Sequence, residues 1–429
     1  MPDRHTAPLI KNAVDFSFQL KPVNIWTLNN GVQVYALHAG EEAVVQLEWV
    51  FMAGNSHEPA NMVASATNFL LKNGTSRRSA FDINEHFDFY GSYLNRNCYN
   101  ETSNITLHSL SKHLSHLLPV VREILTDAIF PQEELDIFVT NSKQRLQVNL
   151  QKCDFVANRE IDVHLYGANH PYGKYSSAEA LDALQRNDLL SFYQQHYQQG
   201  HCVLFVAGQL PEDLFDQLNA QFGDLPLKPA VFTKASPLAV PQQVNGERHI
   251  RISNDANGVQ GAIRMARNFP NRHHPDFQGV SVLNILFGGF FGSRLMSNIR
   301  EEKGYTYGIH SYLQNHVEQS AWMISTEAGR DVCEATIAEV YKEMELLRNE
   351  PVDEEELLLV RNYMLGSILG DLDGPFHIIG RWKSYVLHGV DDQYFYNAIH
   401  NIKTISAGQL QELANRYLQP ELFYEMVVV

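Results

Sequence analysis

Apolar residues recur at helical spacing in both halves of the chain. Between Leu114 and Ala128 they repeat at three- and four-residue steps, which is the spacing of one face of an amphipathic helix. The stretch from Ile337 to Leu347 repeats that pattern. Upstream, WTLNNGVQVYAL (residues 26–37) alternates apolar and polar positions around an Asn-Gly pair, which predicts a β-hairpin.

Two separate matches indicate that the chain is an internal duplication. FPQEEL (residues 130–135) resembles PVDEEEL (351–357), with Pro131 and Pro351 lying 220 positions apart. DLLSFYQQHY (188–197) resembles GQLQELANRY (408–417) at the same offset of 220. A β-rich run follows each copy. Strands in hairpins and helices in runs predict an α+β fold of two duplicated domains, each an antiparallel sheet backed by helices.

The domain boundaries follow from a proline-rich segment between the two copies. Four prolines lie between residues 226 and 242 in a polar context, which is typical of a linker. We therefore predict an N-terminal domain at 1–225, a linker at 226–242 and a C-terminal domain at 243–429. A chain of 429 residues is also too long for one ordinary hydrophobic core.

The net charge and the cysteine content limit which classes of partner and which cellular compartment are expected. The formal net charge of -16 disfavours binding to nucleic acid or to anionic lipid. The four cysteines are scattered and form no Cys-x-x-Cys pair, which favours a reducing compartment over a disulfide framework. Without an apolar leader or a long apolar run, we expect a cytoplasmic protein with no membrane partner.

The most specific local motif is NILFGGFFGSRLMSNIREEKGYTYGI, residues 284–309. The pattern predicts an apolar helix that ends at Phe287, a glycine-rich turn, a short helix with Arg294 and Arg300, and then a strand. A nucleotide site is disfavoured because no Lys-Ser/Thr pair follows the glycines and no parallel βαβ unit surrounds them. A helix-loop-helix with ordinary capping glycines is the structural alternative.

This motif, the duplication and the segment YGANHPYG (residues 166–173) together resemble the insulinase/pitrilysin (M16) family of zinc peptidases. That family includes the mitochondrial processing peptidases and bacterial two-subunit relatives. The resemblance extends from about Trp26 to the end of the chain. It implies the metallohydrolase-like M16 peptidase fold, in which two halves or two chains close around an unfolded peptide.

The resemblance also implies a substrate-binding site in the second half. The family carries an Arg and a Tyr seven positions apart that reach the scissile region of the substrate, and Arg300 and Tyr307 match this spacing. Gly288 and Gly289 are the accompanying substrate-binding positions. A guanidinium and a phenol can donate hydrogen bonds to a peptide carbonyl and stabilise a developing oxyanion. The alternative is that Arg300 caps its helix and Tyr307 only packs.

The zinc motif of the family is degenerate in this chain. His-x-x-Glu-His is expected on a helix just before Gly74-Thr75, where the sequence has Ser65, Asn68 and Phe69. Serine and asparagine are poor zinc ligands, and phenylalanine cannot coordinate a metal. The downstream acidic ligand is missing too, because no acid lies between Asp136 and Asp154.

We therefore expect no metal cofactor in this chain and zinc in a partner subunit. Other histidines do not lie at a ligand spacing that would build a substitute site; they are His57, His86, His164, His170, His273 and His274. The sequence favours a non-catalytic subunit that pairs with a chain carrying His-x-x-Glu-His and supplies half of the peptide chamber. The alternative is a non-enzymatic peptide-binding or scaffold protein that forms a homodimer. No residue constellation supports an autonomous hydrolase.

Overall fold

The computed structural model describes residues 11–232, 246–255, 257–269 and 271–429 and contains two β-sheets covered by helices. The strands of the first half are β1 (Asn24–Thr27), β2 (Gln33–His38), β3 (Val44–Phe51), β4 (Tyr93–Cys98), β5 (Ser103–Leu110), β6 (His201–Gly208) and β7 (Lys228–Pro229). Those of the second half are β8 (His249–Ile252), β9 (Gln260–Phe269), β10 (Thr306–Asn315), β11 (Ser320–Gly329) and β12 (Tyr424–Val428).

The first half has eight α-helices and the second half six among the described residues. The first half has α1 (Val63–Leu70), α2 (Ala80–Phe89), α3 (Leu114–Asp127), α4 (Gln132–Asn149), α5 (Cys153–Tyr166), α6 (Ala178–Asp182), α7 (Arg186–Tyr193) and α8 (Leu214–Phe222). The second half has α9 (Phe277–Asn284), α10 (Cys333–Asn349), α11 (Glu354–Asp371), α12 (Pro375–Leu387), α13 (Gln393–Thr404) and α14 (Ala407–Tyr417). The two amphipathic patterns noted in the sequence correspond to α3 and α10.

The strand order confirms the predicted duplication. In the first sheet the order β2-β6-β3-β5-β4 matches the order β8-β12-β9-β11-β10 of the second sheet, strand for strand in sequence. The first sheet adds β1, which forms the predicted hairpin with β2, and β7. Gly31 adopts φ +89° in that hairpin turn, a conformation that L side chains rarely reach.

The prediction of purely antiparallel sheets was wrong in one respect. β2 and β7 both pair with β6 in parallel, and β12 pairs with β8 in parallel. The other pairs, such as β3 with β6 and β12 with β9, are antiparallel. A parallel pair needs a long crossover: α1 to α7 and three strands lie between β2 and β6, and α9 to α14 and three strands lie between β8 and β12. Each sheet is therefore mixed.

The two compact units of the structure do not follow a simple division of the sequence. One unit contains residues 21–232 together with residues 374–389 of the second half. The other contains residues 11–20, 246–373 and 390–429 within the described ranges. Helix α12, which corresponds to α5 in the repeat, therefore packs in the first unit, against β6 and β2.

A buried ion pair fixes α12 in the first unit. The Nζ of Lys383 donates to both carboxylate oxygens of Glu48 at 2.8 and 2.9 Å. Glu48 lies on β3 and is 3% exposed. In the other unit, Lys403 donates to the carbonyl of Phe16, which ties the N-terminal segment to α13. The predicted linker is described only in part: residues 226–232 include β7, and residues 233–242 lie outside the described residues.

Candidate functional site

Helix α1 carries the three positions of the degenerate zinc motif. Asn68 is 2% exposed, and its Nδ2 donates to the carbonyl of Asn104 and to the hydroxyl of Tyr197, both at 3.2 Å. The Ser65 hydroxyl donates to the carbonyl of Met62 at 3.2 Å. The helix ends at Leu70, and Gly74 follows at φ +141°. Asn68 thus has a structural role in the core.

The side chain of Phe69 forms part of an exposed aromatic surface. It is 45% exposed, and its ring centroid lies 5.1 Å from that of Phe138 on α4. The guanidinium of Arg96, on strand β4, lies 5.2 Å from the Phe69 centroid and also donates to the Phe69 carbonyl. Burial lowers the pKa of Arg96 to about 10, so the side chain remains charged at neutral pH. The last position of the predicted zinc motif is therefore an aromatic ring, that of Phe69, with the guanidinium of Arg96 packed against it.

The second half contains a similar pattern of serine, asparagine and leucine on the helix that corresponds to α1. Ser65-x-x-Asn68-x-Leu70 recurs as Ser281-x-x-Asn284-x-Leu286 on the corresponding helix α9. Asn284 is 6% exposed, and its Oδ1 accepts a hydrogen bond from Ser311 at 2.7 Å. Both helices therefore bury an asparagine that bonds to the sheet beneath. The sequence contained this signal, at an offset of 216 rather than 220.

Among the described residues, no group of three or more His, Cys, Asp or Glu side chains is arranged to hold a metal ion. In the segment 137–153, where the acidic third zinc ligand was expected, Phe138 on α4 contributes its ring to the aromatic surface. A zinc ion needs three or four nitrogen, sulfur or carboxylate donors, and the residues at α1 do not fit that group. The residues of α1 therefore support no zinc-dependent catalytic step.

Arg300 and Tyr307 line one cleft in the second unit, and their contact with a substrate stays a prediction. The cleft has a volume of about 530 Å³, and its other charged lining residues are Glu301 and Glu327. Arg300 lies in a π-helical segment, Met296–Glu302, and its guanidinium sits 4.6 Å from the centroid of Phe291. Its ion pair with Glu301 is long, at 3.9 Å. The guanidinium is thus positioned by an aromatic ring and retains donors for a ligand.

Tyr307 projects from an irregular part of the edge strand β10. The register of β10 shifts between Thr306 and Ile309, and such bulges redirect side chains. The Thr306 hydroxyl bonds to Thr326 at 2.9 Å and accepts from the Gly308 amide at 3.1 Å, which fixes the backbone on both sides. Tyr307 itself is 92% exposed. A rigid backbone therefore presents a freely accessible phenol.

The two glycines are not brought into this cleft. They lie in a π-helical segment, Ile285–Gly289, that continues α9, so the predicted loop begins two residues later than expected. A Cβ on Gly288 would lie 2.7 Å from the Cβ of Ser311 on β10. Gly288 is therefore required for close packing, whereas contact of Gly288 or Gly289 with a substrate stays a prediction. Arg294 forms a bidentate ion pair with Glu356, both distances being 2.8 Å, and is structural.

The segment YGANHPYG is a structural turn near α1. Tyr172 is 5% exposed and donates to Glu101, and Lys174 pairs with Glu58 at 3.1 Å. Glu58 in turn accepts from the Ala64 amide at 3.1 Å and caps α1. Burial raises the pKa of Glu58 despite these donors.

Comparisons with known proteins agree with this architecture. Residues 183–364 match the family model described as the peptidase M16 inactive domain. A Bacillus subtilis protein described as the uncharacterized zinc protease YmxG is 21% identical over 352 residues, which is 81% of this chain and 84% of its own. An uncharacterized zinc protease of Rickettsia bellii is 22% identical over 415 residues, covering 92% and 94% of the two chains.

Solved structures show the same fold over nearly the whole chain. A peptidase M16 inactive domain from Pseudomonas fluorescens matches with a TM-score of 0.82 at 24% identity, covering 95% of this chain and 98% of its own. A protease from Helicobacter pylori matches with a TM-score of 0.83 at 16% identity, covering 95% and 99%. A chain of complex III2 from Candida albicans, solved with Inz-5 bound, has a TM-score of 0.73 at 15% identity over 95% of each chain.

The fold, the duplicated topology and these matches define a protein with the M16 peptidase architecture. Residues 183–364 match the M16 inactive-domain model, and the chain has the M16 peptidase fold that its motifs predicted. No described helix is both long and apolar enough to cross a membrane. All four cysteines are free thiols.

Proposed function

We propose that this chain is the non-catalytic subunit of a two-chain M16-type zinc peptidase. One observation carries the proposal: the Arg300 and Tyr307 donors line a single cleft, while the zinc-motif helix α1 has no metal-binding side chain. Donors that act on the substrate are useful only if another chain supplies the metal. The match to a family model for the inactive domain supports this division.

In this proposal the partner carries His-x-x-Glu-His and the zinc, and this chain supplies substrate contacts and half of a chamber for unfolded peptides. The guanidinium of Arg300 and the phenol of Tyr307 would donate hydrogen bonds to the substrate carbonyl as it gains negative charge. The match to a chain of a multi-subunit assembly, complex III2, is compatible with a role as a subunit. A cytoplasmic location is part of the same proposal and is supported by the four free thiols.

Co-purification tests the proposal. A tagged form of this chain, purified from its native host, should retain a second M16 chain with an intact His-x-x-Glu-His, and the pair should cleave unstructured peptides. Removal of zinc with a chelator should abolish cleavage without separating the two chains. A chain that purifies as a homodimer, with no M16 partner and no peptidase activity, would favour the scaffold alternative instead.

A further inference from the structure

The region around Phe69 in the first unit contains an arginine, Arg96, without a direct ion pair among the described residues. Arg96 has no carboxylate partner among the ion pairs of the described residues, and its Nε is buried without a hydrogen-bond partner there. Its Nη1 donates to the Phe69 carbonyl and, at 3.5 Å, reaches the Oδ1 of Asn73. Since guanidinium has five N–H donors, most of the donor capacity of Arg96 is unused.

A second cation, Lys72, directly precedes Asn73, the residue whose side-chain oxygen Arg96 contacts. Burial and then repulsion from Arg96 lower the pKa of Lys72, and attraction to Asp88 offsets this shift only in part. Asn73 links Arg96 only indirectly to Glu134 on α4, because its Nδ2 donates to the Glu134 carboxylate at 2.8 Å. Two partly buried cations without direct carboxylate partners are costly to retain, which suggests that an anion completes the site.

The surroundings of the two cations indicate the chemistry of that anion. The rings of Phe69 and Phe138 lie 5.1 Å apart, and Phe69 is 45% exposed, so an apolar group can pack beside the charge. A peptide offers this combination when a carboxylate lies next to an apolar side chain. Guanidinium binds carboxylate through paired hydrogen bonds, which gives such a site geometric specificity as well as charge.

We propose that Arg96, Lys72 and the Phe69–Phe138 surface form a binding site for a peptide carboxylate with an apolar neighbour. The site uses only residues of the first unit and does not depend on the cleft of Arg300 and Tyr307. Its ligand is a C-terminal carboxylate or an Asp or Glu side chain, since both present the same oxyanion.

Fluorescence anisotropy with the purified full-length chain tests this proposal. The probes are three fluorescein-labelled peptides: Gly-Ser-Gly-Leu-Phe with a free C-terminus, its C-terminal amide, and the amide of Gly-Ser-Gly-Glu-Phe. The free acid should bind at least about tenfold more tightly than the Leu-Phe amide, a factor equal to one charge-assisted interaction. Binding of the Glu-containing amide would assign the site to side-chain carboxylates, and its failure to bind would assign the site to C-termini.

Variants separate recognition from folding. Arg96→Gln and Lys72→Gln should each weaken binding of the acid peptide at least about tenfold, whereas Arg77→Gln, an exposed arginine elsewhere on the unit, should not. Arg96→Lys should restore part of the affinity, because it keeps the charge but loses the planar fork. Circular dichroism verifies that each variant is folded. If Arg96→Gln does not fold, Lys72→Gln still tests the proposal. Equal binding of acid and amide peptides, or unchanged binding in folded Lys72→Gln and Arg96→Gln, would overturn the proposal. So would the failure of every peptide to bind.

Discussion

Lys383 and Glu48 form a buried ion pair across 335 positions of sequence, with the Nζ 2.8 and 2.9 Å from the two carboxylate oxygens. The pair lies inside the first unit, although Lys383 belongs by sequence to the second half. Glu48 is 4% exposed at its side chain and Lys383 27%. Asn104 also donates to Glu48, which links the pair to Asn68 of α1.

Lys383→Met should destabilise the protein by roughly 3 kcal/mol, because it leaves the carboxylate of Glu48 buried without its counter-charge. Urea unfolding followed by fluorescence measures the change. The double variant Glu48→Gln/Lys383→Met should recover part of the loss, since no unpaired charge then remains. Lys143→Met is the matched control: its partner Asp182 is 57% exposed, and such a pair contributes at most about 1 kcal/mol. Equal losses in Lys383→Met and in the control would refute the assignment.

The stability contributed by Glu425 should depend on pH. Burial alone would raise its pKa, but hydrogen bonds from His249, Arg251 and Tyr341 outweigh burial and hold the pKa below its usual value of 4.5. A lowered folded pKa means that the stabilisation is complete above pH 4.5 or so and is lost as the pH falls through the folded value.

Glu425→Gln should therefore cost about 2 kcal/mol of unfolding free energy at pH 7 and progressively less below the usual carboxyl pKa. Urea titrations at a series of pH values measure the difference from the wild-type chain. Glu334→Gln is the control, because this glutamate also binds Arg251 but is 69% exposed. A difference for Glu425→Gln that stays constant down to acidic pH would contradict this prediction.

The purified chain should hold no stoichiometric zinc after extensive dialysis, as measured by elemental analysis. The triple variant Ser65→His/Asn68→Glu/Phe69→His should still not cleave peptides on its own. The downstream acidic ligand would be missing, and the guanidinium of Arg96 would repel a metal ion at this place. Zinc-dependent cleavage by the triple variant would show that another acid completes the site.

If the proposed two-chain enzyme forms, Tyr307→Phe should reduce its turnover by about a hundred- to a thousandfold, because it removes one oxyanion donor and keeps the ring. KM should change much less, since the donor acts mainly in the transition state. Tyr312→Phe, on the same strand and 39% exposed, is the control. Gel filtration verifies that the pair still assembles. Wild-type turnover by an intact complex that contains Tyr307→Phe would contradict this prediction. This chain would then only form part of the peptide chamber.

Local signals predicted most of the fold. The periodic apolar positions marked α3 and α10, and the Asn-Gly pair marked the β1–β2 turn, because these features depend on neighbouring residues. The duplication predicted the repeated strand order. The parallel pairing of β2 with β6 could not be deduced, since the periodicity of a strand does not encode which partner it takes.

The candidate sites show the same limit. The motif spacing singled out Arg300 and Tyr307, which the structure places in one cleft. The cation over Phe69 did not, because Arg96 lies 27 residues away and only the pairing of β4 brings it near. The packing role of Gly288 likewise depends on the distance to Ser311, which no local pattern contains.

The packing of α12 in the first unit limits where the chain could be cut into two parts that fold independently. A break in the proline-rich segment would separate the first sheet from the helix that neutralises Glu48 and covers β2 and β6. The N-terminal fragment would then lack the cation that pairs with Glu48, and this carboxylate would keep only the hydrogen bond from Asn104. Two fragments made separately would have to recombine to recover a native first unit, so this duplicated protein cannot revert to two independent halves by a simple cut.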